Sequence, residues 1–261
     1  MSDINNVLSI LDAINKENTV SLYVPSLKRE VKFKSISTGQ QKLLLKAAVD
    51  NPIFQTRFII AIHNIITENC TEKDILSNFT TIDSLCVLLQ YRIENYGSNY
   101  TFEQDNIDYN IDLSSFKERV KEITVPASET FTFNNITIKV GPPTLNEQYS
   151  LEKQIREKRT EDTTINESLG EAFIGEISKF IKEINITVDN KTQDIGYKDL
   201  SFTKKYLVLE KLPAAVVKGI IAYLENVAAI QRKITRVDGV DSNGNIRELD
   251  ITIDASLFSI T

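Results

Sequence analysis

The sequence has no tryptophan, one histidine and two cysteines among 261 residues. With His63 alone, a metal site built on two histidines is excluded, and any catalytic triad would have to be assembled around that residue. His63 lies in an apolar helical pattern beside Ile62 and Ile66, which predicts a structural side chain. Cys70 and Cys86 are too few for a disulfide framework, and they lack the neighbouring His or Cys that would complete a four-ligand zinc site. Both read as reduced, buried, small apolar residues. The 12 Phe and 9 Tyr fall at alternating positions that should face a core, so no base-stacking platform is expected.

Nine Gly and six Pro are too few for a collagen or low-complexity chain, and 41% apolar residues suffice for a sizeable core. The most apolar stretch, residues 58–66, is interrupted by His63 and Asn64 and is far shorter than the roughly 20 residues that span a bilayer. No membrane span is therefore expected. The first eleven residues carry Asp3 and several Asn in place of a basic, then apolar, secretory leader, so a cytoplasmic chain is expected. Acidic residues outnumber basic ones, 36 to 30, and a net charge of -6 argues against nucleic acid as the partner.

Signatures of chemistry are also missing. There is no G-x-S-x-G, no phosphate-binding G-x-x-x-x-G-K and no dinucleotide fingerprint. Asp241, Asn243, Gly244 and Asp250 match parts of a calcium loop, but its first position is Gly239 and its flanks read as strands. An Asn-Gly hairpin turn is the better reading, and neither metal nor cofactor is expected. Glu161 and Asp162 lie in a polar stretch and read as solvated charge.

The pattern of what is present predicts an α+β fold, helix-rich with several antiparallel hairpins. An amphipathic helix is expected over 2–17. Alternation predicts hairpins over 20–36, 100–113 and 129–141, turning at Pro25 to Lys28, at Gln104 to Asn106 and at Asn134-Asn135. Capping boxes at Thr38/Gln41 and Thr144/Glu147 open helices, and Pro52 starts what should be the most buried helix. Another helix over 82–95 ends before Gly97, and a short one covers 114–121. Helices are then expected over 166–184 and 201–211, separated by a polar loop at 189–199, and from Pro213 to Arg232. A last hairpin, 234–240 with 246–253, precedes the closing Leu257-Phe258. The polar stretch 156–164 marks a division between regions 1–155 and 165–261, which are also compatible with one continuous domain. The order Val-Pro, strand, Thr cap and helix at 24–38 and again at 125–144 is a weak internal echo, compatible with duplication of a hairpin-helix unit or with chance.

Three stretches carry a family resemblance. The segment Val24-Pro25-Ser26-Leu27-Lys28-Arg29-Glu30-Val31-Lys32-Phe33-Lys34, continuing through Thr38-Gly39-Gln40-Gln41-Lys42 to Ala47, resembles the baseplate hub and hub-assembly proteins of T-even-type contractile-tailed phages. Leu212-Pro213 and the closing Asp250-Ile251-Thr252-Ile253-Asp254-Ala255-Ser256-Leu257-Phe258 resemble the later part of the same family. The first segment is also similar to tail-assembly chaperones of other long-tailed phages. The resemblance implies no catalytic residues, and an enzyme with an unrecognised carboxylate site is the alternative reading from another class. It implies a structural or assembly role in the central hub, in the virion tail baseplate and in the host cytoplasm during assembly. Other hub and tail proteins, including the tape measure protein, are the implied partners, and self-association is left open.

An exposed edge of the first hairpin is the expected contact, with Pro25, Lys28, Arg29, Lys32 and Lys34 as candidate partner-binding residues. A charged outer face discourages indiscriminate pairing yet admits a partner of complementary charge.

Overall fold

The computed structural model describes residue 4 and residues 18–49, 56–158, 165–189, 191–253 and 255–258. In chain order the strands are β1 (Thr19–Val24), β2 (Arg29–Lys34), β3 (Asn99–Gln104), β4 (Ile107–Asp112), β5 (Glu129–Phe133), β6 (Ile136–Val140), β7 (Ile181–Val188), β8 (Lys191–Asp194), β9 (Arg236–Asp241) and β10 (Ile246–Asp250). The helices are α1 (Thr38–Val49), α2 (Thr56–Asn69), α3 (Thr81–Tyr96), α4 (Phe116–Arg119), α5 (Leu145–Lys158), α6 (Ile165–Phe180), α7 (Phe202–Lys211) and α8 (Ala214–Thr235). The fold is α+β, with three antiparallel sheets among the described residues. Apart from Ile4, the helix expected over 2–17 lies outside them, as do Pro52, Glu161 and Asp162.

Contacts divide the chain into two units, Met1–Thr124 with Arg232–Thr261, and Val125–Gln231. The division suggested at 156–164 falls within the second unit. The physical reason for the first unit's composition is a long-range pairing: β9 joins β4, giving the sheet order β10-β9-β4-β3.

In the first unit, β1 and β2 pair with Leu22 opposite Val31 and Val20 opposite Phe33, as the alternation predicts. Leu22, Val24, Val31 and Phe33 are buried, and Ser21, Glu30 and Lys32 are exposed. The cap of α1 sits one residue earlier than the Thr38/Gln41 spacing suggested. The Ser37 hydroxyl accepts from the Gln40 amide (3.2 Å), and the Gln40 side chain accepts from the Ser37 amide (3.1 Å). Gln41 is thereby free to donate to the carbonyl of Phe258 at 2.8 Å.

The most buried helix is α3, not α2. Residues 81–84 and 86–93 of α3 are all buried, whereas Arg57, Asn64 and Glu68 keep one side of α2 exposed. Thr80 and Asp83 form the capping box of α3, a signal the sequence reading passed over. Phe33 packs edge-on to Phe79 and Tyr91, with ring centroids 6.4 and 5.9 Å away. The closing Leu257 and Phe258 are fully buried, and Phe258 meets Tyr96 edge-on at 6.2 Å. That family-like ending is therefore a core element of this unit.

In the second unit the sheet order is β5-β6-β7-β8. Residues 181–184 are strand where helix was expected, and 191–194 are strand where a polar loop was expected. Alternation in Ile184, Ile186 and Val188 explains the first difference, because period-two β-branched residues suit a strand beside β6. The turn at Asp189, with φ 50°, explains the second. Of the two turn asparagines in the third hairpin, Asn134 alone has a positive φ. The echo between 24–38 and 125–144 also breaks down in position: Pro25 lies in the turn between two strands, whereas Pro126 precedes both strands of its hairpin. Two aromatic side chains do not face a core as expected, Phe133 and Phe173 being exposed.

By length and composition, α8 could cross a membrane, with mean hydropathy 1.3 over an 18-residue window. It is a longer apolar element than the 58–66 stretch singled out in the sequence. Its Val216, Ile220, Tyr223 and Val227 are buried at helical spacing, Gly219 lies against Phe131, and the Tyr223 hydroxyl donates to the Ala127 carbonyl. These contacts pack one face of the helix, and the rest of the 18-residue window, of which 22% is buried, faces outward.

Candidate functional site

The first hairpin carries the residues that sequence reasoning selected, and the structure separates them into three kinds. Pro25 is buried and belongs to the packing of the turn, so it presents nothing to a partner. Arg29 is exposed but engaged: its two Nη atoms grip Glu72 at 3.1 and 2.5 Å. That hydrogen bond holds the Glu72 carboxyl below the usual glutamate value. Lys28 and Lys32 are exposed and Lys34 is half-buried. Lys28 occupies the turn with φ 53°, a left-handed conformation that projects the tip of the hairpin.

The hairpin's edges are not free in the way the alternation implied. Along β2 the outward carbonyls are all taken. Glu30 accepts from Arg29 Nη1 (3.2 Å), Lys32 from the amide and hydroxyl of Thr71 (3.1 and 2.8 Å), and Lys34 from the Tyr91 hydroxyl (2.9 Å). Phe33 and Cys70 complete an isolated antiparallel bridge on the same side. On β1 the buried side chain of Gln90 imitates a neighbouring strand, accepting from the Tyr23 amide at 2.8 Å and donating to its carbonyl at 2.9 Å. Strand addition along β2 is thus blocked, and on β1 it is blocked at Tyr23. What remains for a partner is the charged face, the tip and the rest of the β1 edge.

The remaining sequence candidates are placed as follows. His63 is half-buried, with its Nδ1 3.3 Å from the Asn64 side-chain oxygen. Burial raises the pKa of both Cys70 and Cys86, which makes them poor nucleophiles. In the last turn, Asp241 accepts from the side chain and amide of Asn245 and from the amide of Asn243, all at 2.8–2.9 Å, and these bonds lower its pKa. Asp250 accepts from the Thr235 hydroxyl. Both acids of the partial calcium motif thus accept hydrogen bonds within the protein, Asp241 from its own turn and Asp250 from Thr235.

Sequence reasoning missed a cluster in the second unit. The capping box at Thr144/Glu147 forms as expected, but Glu147 also pairs with Lys182 and lies 3.8 Å from Lys198. Burial would raise the Glu147 pKa, yet the bonds from Lys182 and Thr144 outweigh it and leave the value lowered. A cavity of about 240 Å³ adjoins the pair, and half-buried Lys205 lines it with its ammonium 5.4 Å from the centre of the Tyr197 ring. The arrangement is an ion-pair network that ties α5 to β7. Among the described residues, no group of three or more His, Cys, Asp or Glu is placed to hold a metal ion.

Comparison with curated proteins and with solved structures gave no match. A protein-family model described as T4 bacteriophage base plate protein does match, over residues 17–237. That span begins just before β1, takes in the hairpin, the three capping boxes and the whole second unit, and ends in β9. The chain belongs to the T4 bacteriophage base plate protein family.

Proposed function

We propose that this baseplate protein is a structural component or assembly factor of the central hub of a contractile phage tail, and that it works through protein-protein contacts without catalysis. The family match over 17–237 carries the reading. The resemblance of the hairpin and of the closing 250–258 segment to hub proteins narrows it from baseplate to hub. Other hub proteins and the tape measure protein are its partners, the host cytoplasm is where it is assembled, and the tail baseplate is where it acts. The exposed Lys28, Lys32 and half-buried Lys34 are its contact residues on the first hairpin.

The test is quantitative mass spectrometry of purified virions alongside partial baseplates accumulated when the gene is disrupted. A hub component is present in virions at a small fixed copy number, and its loss arrests baseplates before the hub is complete. Absence from virions with the same arrest assigns an assembly factor that departs, a role close to that of a tail chaperone. Complete, functional baseplates in its absence would overturn the proposal.

A further inference from the structure

We propose that a cleft in the first unit binds a carboxylate-bearing segment of a partner protein, with Arg92 and Arg119 as the residues that read it. The partner's identity rests on the baseplate reading above; the carboxylate chemistry does not.

Arg92 carries the argument. It projects from the last turns of α3 and is only 5% exposed. Its Nη1 donates to the Gly97 carbonyl at 2.6 Å and its Nη2 to the Asn99 carbonyl at 2.7 Å, while its buried Nε has no acceptor. The rings of Tyr96 and Tyr100 flank the guanidinium, 5.6 and 5.8 Å from its carbon. A buried charge ordinarily has a counter-charge, because desolvation is costly and neutral carbonyls repay only part of it. Arg29, Arg236 and Arg247 are each more exposed, and each faces a carboxylate. Arg92 does not.

The second arginine without a carboxylate lines the same cleft. Arg119, at the end of α4, donates through Nη2 to the carbonyls of Lys233 and Arg236 at 2.8 and 2.9 Å. A guanidinium has five N–H donors in a planar fork, so both arginines retain donors suited to a carboxylate. The two acids on the cleft wall do not neutralise them. Asp112 accepts from the amide and hydroxyl of Ser114, and Asp238 stands on an exposed position of β9.

Size selects the occupant. The cleft is open to solvent and has a volume of about 1070 Å³, far more than a single inorganic anion fills, and Asn95, Asn99 and Asn110 are among the residues that line it. Amide side chains can pair with a peptide backbone while the arginines take an acidic side chain.

The test uses the full chain and a fluorescent glutamate-rich decapeptide, with the glutamine version as control, followed by anisotropy at low and high salt. Binding of the acidic peptide that weakens with salt, and weakens about tenfold in Arg119→Gln, is the expected result. Arg119 is half-buried, so this variant should keep the parent's circular dichroism. Arg92→Lys, which keeps charge but loses the fork, should weaken binding as well if it folds; the Arg119 variant decides the matter if it does not. Equal binding of the two peptides, no binding at low salt, or binding unchanged in Arg119→Gln overturns the proposal. Displacement by free glutamate or phosphate at peptide-like concentrations also overturns it, by reassigning the cleft to a small anion. Failure of every peptide arm leaves the virion and baseplate measurements untouched, so the two readings fail separately.

Discussion

At Gly239, β9 runs so close to its neighbours that a Cβ would lie 3.0 Å from the Tyr109 Cβ and would collide with the side chain of Leu249. The same glycine that disqualified the last turn as a calcium loop is thus required by sheet packing. Gly239→Ala should cost about 1–3 kcal/mol, the usual penalty for overpacking, measured by urea denaturation. Retained stability would mean that β10 can shift to make room. Glu147 supplies a pH-dependent counterpart. Its folded pKa lies below the ordinary value of 4.5, so the folded state binds its proton less readily than the unfolded chain does. Its contribution is fully present above that ordinary value and is lost as pH falls through the depressed folded value. Glu147→Gln should therefore be less stable than the parent at pH 7, by about 1–2 kcal/mol for a half-buried pair, and the gap should close in acid below pH 4.5. A gap independent of pH would show that shape, not charge, is what Glu147 supplies.

At the scale of elements, the first hairpin is finished on both sides by side chains from elsewhere in its unit. Removing the Gln90 amide strips the Tyr23 amide and carbonyl of their partners inside the protein. Gln90→Leu should cost about 1–3 kcal/mol for an unsatisfied buried group, and it should also open the β1 edge. Concentration-dependent self-association in sedimentation velocity is the expected signature; an equally stable variant that stays monomeric would show that the edge is protected in some other way. Reversing Lys32 and Lys34 to Glu should, in contrast, change stability by less than about 0.5 kcal/mol while reducing incorporation into baseplates. Normal incorporation at low and high salt would remove the lysine face from the list of contacts.

The hairpin itself was legible because Val20, Leu22 and Val31, Phe33 alternate with polar residues, and the exposure of Lys32 followed from that alternation and that of Lys28 from its place in the turn. Its closed edges were not legible, because Gln90, Thr71 and Tyr91 are brought to it by tertiary packing and carry no local mark. A smaller ambiguity moved the first cap from Thr38 to Ser37, where two adjacent hydroxyl residues each have a glutamine three positions on. Strand β7 was missed because its isoleucines continue an apolar helix and so fit either period over a few residues.

For the whole molecule, the decisive feature is the return of the chain's end to its beginning. Each member of the β3-β4 and β9-β10 pairs can be read from its own alternation and turn. The pairing of Asn110 with Val240 and of Ile111 with Gly239 joins segments far apart in sequence, and no local periodicity encodes it. The arginine-lined cleft depends on the same closure, since Arg119 reaches the carbonyls of Lys233 and Arg236. Deleting residues 232–261 should then do more than remove a tail. It strips β4 of a neighbour, takes Phe258 from Tyr96 and removes the carbonyl that Gln41 holds. Hydrogen exchange should show lost protection throughout β3, β4 and the C-terminal half of α3, whereas β6 and β7, which pair within the second unit, keep theirs. Undiminished protection of β4 in the shortened chain would mean that the first unit folds without its last hairpin, and that the closing segment serves a partner instead of the core.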